Sequence, residues 1–333
     1  MGAGLRGWGG VAAMAAACAL AVTAALTPLG DHGGATPGSS GSSTTRANYA
    51  SALDSLDKQD SCRDPEASLD PASGTTDGAA VQRIRDRDRL VVGVDQNSYL
   101  WGFRDPATGR IAGFDIDIVR AIAQDILGDP SKVQYLTVPT AQRVAMIQQH
   151  KVDMVVRTMT VNCERIKEVA FSTAYFEAGQ QILAPRSSAV TGYDRSLKGR
   201  TICTATGSTG EARLKDKEKG AASLGAKYIT VPNQLDCLVR LQLGLADAVF
   251  TDNALAAGQA AQDPSVHLVG EPVTEEPYGV AMNLADQDLV RRVNQVLNAY
   301  RAGGSTSPWM RSYDKWLAAD LPGIGGPPEP KYK

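Results

Sequence analysis

The chain has only three histidines, His32, His150 and His267, and they lie far apart. Neither an HExxH nor a CxxC spacing occurs, so no metal site is expected, and no cofactor. Positive charge is not in surplus either. The formal net charge is −2 and there is no long basic stripe, which gives no reason to expect nucleic acid as a partner. With 43% apolar and 21% charged residues the composition is that of a soluble globular protein, and 333 residues make room for about two domains.

Both ends lack the periodicity of a folded body. "MGAGLRGWGGVAAMAAACALAVTAALTPLG" carries one early cation, Arg6, then an apolar stretch from Val11 to about Leu29, so residues 1–30 read as a signal peptide or membrane anchor. "AAAC", ending at Cys18, weakly resembles the lipobox of bacterial lipoproteins, whose cysteine becomes acylated. Against this, the chain stays apolar for about eleven residues beyond Cys18, and the run is close to the roughly 20 residues that span a bilayer. Tethering by lipid and tethering by helix both stay open, and either puts the body on the outer face of the cell membrane. Residues 31–80 are rich in Gly, Ser, Thr, Pro and Asp and read as a flexible tether. Residues 321–333, "LPGIGGPPEPKYK", read as a disordered tail.

Between these ends strands and helices alternate. "RLVVGV" suits a buried parallel strand, and "GFDIDIVRAIAQDIL" sets Ile116, Val119, Ile122, Ala123 and Ile126 at helical spacing. Asp115 and Asp117 suit the positive end of that helix's dipole. "VQYLTV", "TAQRVAMIQQH" and "VDMVV" continue as strand, helix and strand. The order restarts with "RTICTAT", "GSTGEARLKD", "YITV", "QLDCLVRLQLG" and "ADAVF", then the strands "VHLVG" and "YGVAMNL" and two closing helices. Such repetition implies two α/β lobes, each with a parallel sheet covered by helices, and a ligand cleft at the carboxyl ends of the strands. Lobe 1 is expected over 81–185 plus 280–320 and lobe 2 over 186–279, with linking segments near 182–191 and 274–283.

Setting Cys18 aside leaves Cys62, Cys163, Cys203 and Cys237, an even number suited to an oxidising compartment. Three pairings are possible, as are four free buried thiols. The layout puts Cys203 and Cys237 in one lobe, which leaves Cys62 with Cys163. The Cys203–Cys237 loop of about 34 residues would contribute roughly 4 kcal/mol by chain entropy.

The stretch "VVRTMTVNCER" departs from a buried strand by ending in hydroxyls and guanidiniums. Thr158 and Thr160, two apart, would send their hydroxyls to one side of an extended backbone. Arg165 offers the planar bidentate cation that a desolvated carboxylate requires, or else a surface charge on the next helix. Ser208 and Thr209 open a helix whose free N–H groups and dipole attract an anion, although a plain N-cap reads the same way. Asp252 ends a strand and either faces a ligand amine or caps "NALAAGQAA". Arg143 and Arg157 are further cations at the same strand ends, and alternation leaves open which face Arg157 takes.

Together "GFDIDIVRAIA", "KVDMVVRTMTVNCERIKEVAFSTAY", "GSTG", "ADAVFTDNA", "PYGVAMN" and "YDKWL" resemble the polar amino-acid-binding proteins of bacterial ABC transporters, in particular the membrane-tethered glutamate/glutamine-binding proteins of actinobacteria. The likeness runs over about residues 85–318 and implies a bilobed, periplasmic-binding-protein-like (Venus flytrap) α/β fold, its lobes joined by two crossover strands. It implies that Arg165, with Thr160 and Thr158, takes an α-carboxylate and Asp252 the amine. By the same likeness Asp95 lies near the ligand's side-chain end, with Tyr99, Trp101 and Phe103 as an apolar wall or as ordinary core. The chain departs from its relatives in carrying Arg157 directly before Thr158, and Ala205 where glutamine-specific relatives have lysine. A distal cation would favour glutamate or aspartate, with glutamine and asparagine next. The expected protein is a monomeric, non-enzymatic solute-binding protein that hands its amino acid to an ABC permease. A transmembrane sensor is an alternative partner, and a dehydratase-type enzyme or a purely structural envelope lipoprotein are the competing classes.

Overall fold

In this computed structural model residues 62–333 are described, so the expectations for a signal or anchor and for Cys18 lie outside the described residues. No helix among the described residues is long and apolar enough to cross a membrane. Helix α1 (Ala79–Asp86) leads into strand β1 (Leu90–Val94), followed by the small antiparallel sheet of β2 (Asn97–Ser98), β3 (Gly102–Arg104) and β4 (Ile111–Ala112). Next come α2 (Phe114–Leu127), β5 (Val133–Thr137), α3 (Arg143–Gln148), β6 (Met154–Val155), β7 (Ala170–Phe171) and β8 (Phe176–Ala178). A second unit comprises β9 (Gln180–Pro185), β10 (Thr201–Ala205), α4 (Thr209–Lys215), β11 (Lys227–Val231), α5 (Gln234–Gln242), β12 (Ala248–Asp252), α6 (Asn253–Gln262) and β13 (Val266–Val269). The chain then returns through β14 (Glu276–Tyr278), β15 (Ala281–Met282), α7 (Gln287–Arg301) and α8 (Pro308–Trp316).

The two lobes are built on one plan. Lobe 1 holds the sheet β5-β1-β6-β15-β7 and lobe 2 the sheet β11-β10-β12-β9-β13. In each, three parallel strands carry the βα order, and two antiparallel strands complete the sheet. The inner parallel strands β1, β6, β10 and β12 are buried because both sheet faces are covered there, by two apolar clusters in each lobe, while the edge strands β5 and β11 are partly exposed. Helix α2 buries Ile116, Val119, Ile122, Ala123 and Ile126 and stops at Gly128, in the left-handed conformation that glycine adopts without strain. Its first turn abuts Gly113, where a Cβ would stand 2.2 Å from the Trp101 carbonyl oxygen, so only glycine fits.

Several boundaries differ from the sequence reading. β9 pairs with β12 and β13, so lobe 1 leaves off near residue 178 rather than 185. The two crossings are β8 and β14, which pair antiparallel through Phe176↔Tyr278 and Glu276↔Ala178. Residues 62–80 are not a loose tether. The Ser68 hydroxyl donates to the Phe171 carbonyl at 2.6 Å, and the Asn294 amide donates to Ser68 Oγ and the Leu69 carbonyl at 2.8 Å. The Asp288 carboxylate accepts from the N–H groups of Ala80 and Val81 at the head of α1. Nor is 321–333 a free tail: Ser68 pairs with Tyr332, whose hydroxyl donates to Asn298, while Lys331 meets Glu66 at 3.0 Å. Local composition promised disorder in both segments, but their partners come from β7, from α7 and from each other.

Candidate functional site

Both expected disulfides are present, Cys203–Cys237 inside lobe 2 and Cys62–Cys163 beside the loop after β6, with Cα separations of 5.5 and 5.7 Å. That loop, the carboxyl ends of the lobe 2 strands and the helix heads line a small, tightly closed cavity between the lobes. Lobe 1 contributes Arg143, Thr158 and Arg165 to its wall, and lobe 2 contributes Ser208, Thr209, Gly210, Gln234, Thr251 and Asp252. This is the place the two βα repeats dictate, where parallel strands end and helices begin.

Each wall group has an identifiable support. Arg165 is half-buried and donates to the Thr160 carbonyl at 2.8 Å and the Gly207 carbonyl at 3.4 Å, and its own N–H is held by Asn162. Arg143 is buried at the head of α3 and donates to the Thr140 and Arg157 carbonyls. Burial, then the neighbouring Arg165 and Arg157 guanidiniums, push its pKa well below the ordinary arginine value. Thr158 reaches the wall by an unusual route. Its φ is +40°, rare for a β-branched residue, and its N–H donates to Asp115 Oδ2 at 3.2 Å. The chain has thus left extended geometry before Thr158, and alternation does not carry both threonine hydroxyls to one side. Thr158 meets the cavity, whereas the Thr160 hydroxyl donates to Glu276 at 2.6 Å, outside the wall.

Asp115 does more than complement a helix dipole. It is 1% exposed and also accepts from the Tyr175 hydroxyl at 2.8 Å. Burial outweighs both bonds and raises its pKa to about 7. Asp117, by contrast, accepts from Ser312 and Trp316, tying α2 to α8.

On the lobe 2 side, Asp252 occupies the N-cap position of α6 without capping it. Its carboxylate instead accepts from the Tyr278 hydroxyl at 2.5 Å. Burial first, then the nearby Glu276 charge, hold it above the usual carboxylate range. Ser208 is a plain N-cap, accepting from the Glu211 N–H at 3.0 Å and donating to the Ala205 carbonyl. Thr209 donates to Glu276 at 2.9 Å and accepts from Gln180 at 2.7 Å.

Four expected site residues stand apart from the wall along with Thr160. Arg157, 1% exposed, forms an ion pair with Asp95 at 2.9 Å and donates to Thr140 and Asn233. Asp95 also accepts from the Gln96 and Asn97 N–H groups and the Ser98 hydroxyl, so its carboxylate is fully occupied. Trp101 is core, edge-on to Phe114, Phe176 and Tyr278, its indole N–H on the Ala254 carbonyl of lobe 2. Tyr99 packs against Phe103 and lines a separate small cavity with Gln234 and Gln259.

Gln234, Thr251 and the Glu276 behind the wall were absent from the sequence reading. Gln234 heads the helix after β11 just as Thr209 heads the one after β10, so the repeat itself could have pointed to it. Thr251 precedes Asp252 on one strand, while Glu276 sits in "VTEEPYG", which gives no sign of burial.

Comparison with known proteins agrees with this architecture. Residues 90–319 match the family model of bacterial extracellular solute-binding proteins, family 3. The chain is 36% identical over 237 residues to the ABC transporter glutamine-binding protein GlnH of Bacillus subtilis, covering 71% of this chain and 84% of that protein. It is 35% identical to the glutamine-binding protein of Geobacillus stearothermophilus, with coverage of 71% and 86%. Among solved structures it is similar to an ancestral arginine-binding protein bound to glutamine, at 35% identity and a TM-score of 0.62, covering 69% of this chain and 98% of that one. With a bilobed α/β fold, a polar interlobe cavity and a family match across both lobes, the chain belongs to the bacterial extracellular solute-binding proteins, family 3.

Proposed function

We propose that this protein captures a polar amino acid outside the cytoplasm, between its lobes, and presents the closed form to an ABC importer without catalysing a reaction. The observation that carries this reading is a single cavity with cations from one lobe and a carboxylate from the other. An α-amino acid brings a carboxylate and an ammonium that both lose water on closure, and each needs an opposite charge. Arg165 suits the carboxylate, supported by Thr158 and the N–H groups at the head of α4. Asp252 suits the ammonium, because its carboxylate is not spent on its own helix. A ligand touching both lobes favours the closed population by its differential affinity.

Glutamine is the ligand the site favours. Of the two cations that would favour an acidic ligand, Arg157 is neutralised by Asp95, while Arg143 stays in the wall with its guanidinium held by the Thr140 and Arg157 carbonyls. The two named relatives are both glutamine-binding proteins, which supports the same choice. Calorimetry of the full chain with glutamine, glutamate, aspartate and asparagine tests the reading. Glutamine is expected to bind with sub-millimolar affinity and Arg165→Ala to abolish it. Absence of heat with all four, or wild-type affinity in Arg165→Ala, would sink the assignment. Turnover of any of the four would return the protein to the enzymes.

A further inference from the structure

Glu276 lies on the crossover strand β14, 3% exposed, and belongs to neither lobe's half of the cavity wall. Its Oε2 accepts from the Thr160 hydroxyl of lobe 1 at 2.6 Å and from the Thr209 hydroxyl of lobe 2 at 2.9 Å. Its Oε1 accepts from Thr274 at 2.8 Å. One carboxylate oxygen therefore joins the two lobes directly behind the wall, through a threonine that itself lines the cavity. No lysine or arginine forms an ion pair with it among the described residues.

We propose that Glu276 is a specificity-determining positioning residue: it fixes Thr160 and Thr209 across the closed cleft, and its charge sets the cavity against ligands with a net negative charge. This rests on the amino-acid-binding reading above. The ionisable groups in and just behind the wall are Arg143 and Arg165 on one side and Asp252, Glu276 and, behind Thr158, Asp115 on the other, so guanidiniums are not in excess over carboxylates. A zwitterionic amino acid with a neutral side chain adds no net charge there, whereas glutamate or aspartate adds one uncompensated negative charge in a dry site. Glu276 is close enough to matter, since its field already bears on both Asp252 and Arg165. The three donating hydroxyls can rotate to accept instead, so a neutral amide fits the same space.

The test measures affinities for glutamine and glutamate in the full chain and in Glu276→Gln. In the wild type glutamine should bind at least about tenfold tighter than glutamate, and Glu276→Gln should narrow that ratio about tenfold, chiefly by strengthening glutamate. Thr209→Val, which removes the lobe 2 arm but keeps the charge, should weaken both ligands alike and leave the ratio unchanged. An unchanged ratio in Glu276→Gln, or an equal change in Thr209→Val, overturns the proposal. If Glu276→Gln fails to fold, equal wild-type affinities for the two ligands overturn it, and a tenfold preference unmoved by Thr209→Val supports it. A wild type that binds neither ligand refutes the amino-acid reading instead, a result that the variants do not alter.

Discussion

The two lobes share a strand order but hold their interiors together differently. Lobe 1 buries ionic and hydrogen-bonded polar groups, namely Asp95–Arg157, Asp115 with Tyr175, and Asn294 with Ser68 and Thr173. It surrounds them with a large aromatic cluster of Trp101, Phe114, Phe176, Tyr278, Trp309 and Tyr313. Lobe 2 has smaller aliphatic clusters, a ring pair of Tyr193 and Phe250, and a disulfide inside its core, Cys203–Cys237, whereas the Cys62–Cys163 bridge of lobe 1 is only half-buried, at a loop. A smaller lobe with less apolar surface to bury gains more from a covalent constraint, whereas a larger core can carry paired charges. The difference also bears on the cleft. The lobe with the buried ion pair supplies the guanidiniums of the wall, and the lobe with the core disulfide supplies a carboxylate at a strand end.

Three perturbations probe that contrast. Arg157→Met should have the largest effect, because it leaves Asp95 buried without its cation; a loss of up to roughly 5 kcal/mol is expected. Denaturant unfolding measures it, and affinities for glutamine and glutamate should fall together. A selective loss of glutamate would restore Arg157 to the ligand. Replacing Cys203 and Cys237 together by alanine should cost lobe 2 roughly 4 kcal/mol, by release of a loop with a sequence separation of 34. Hydrogen exchange should show the loosening confined to lobe 2, and uniform loosening would contradict the view that each lobe is held separately. The smallest effect concerns pH. Asp115 keeps its proton in the fold to about pH 7 but loses it near pH 4 when unfolded, so stability falls as pH rises through that window and levels off above it. Between pH 6 and 7 the contribution is about 1 kcal/mol, and Asp115→Asn, which preserves shape, should reduce that slope and leave the share of Asp252, raised for the same reason. An identical slope in the variant would assign the titration elsewhere.

The same contrast explains what the sequence could disclose. Alternating apolar runs reveal the strands and helices of both lobes because they depend on local pattern. Counting cysteines reveals the staple, since four thiols allow few pairings and the lobe layout selects among them. The wall positions of Arg165 and Asp252 were legible because the segments that carry them resemble those of the polar amino-acid-binding proteins. The face taken by Arg157 was not legible. It turns on a positive φ at Thr158, which that residue's own β-branched side chain argues against, and on an aspartate sixty-two positions away in sequence. Glu276 was hidden for a similar reason, since "TEEP" resembles a solvated turn until β8 pairs beside it.

The seam where Ser68 meets Tyr332 has a mechanical consequence. With Cys62 bonded to Cys163, the chain enters lobe 1 beside the turn that bears Arg165, and the chain end lies on the same lobe. A force applied at Cys62 therefore enters this jaw directly, through the Cys62–Cys163 bond and the backbone that follows it. The backbone reaches the other jaw only by β8 and β14, so such a force bears on that jaw only through these two strands and the side-chain bonds across the cleft.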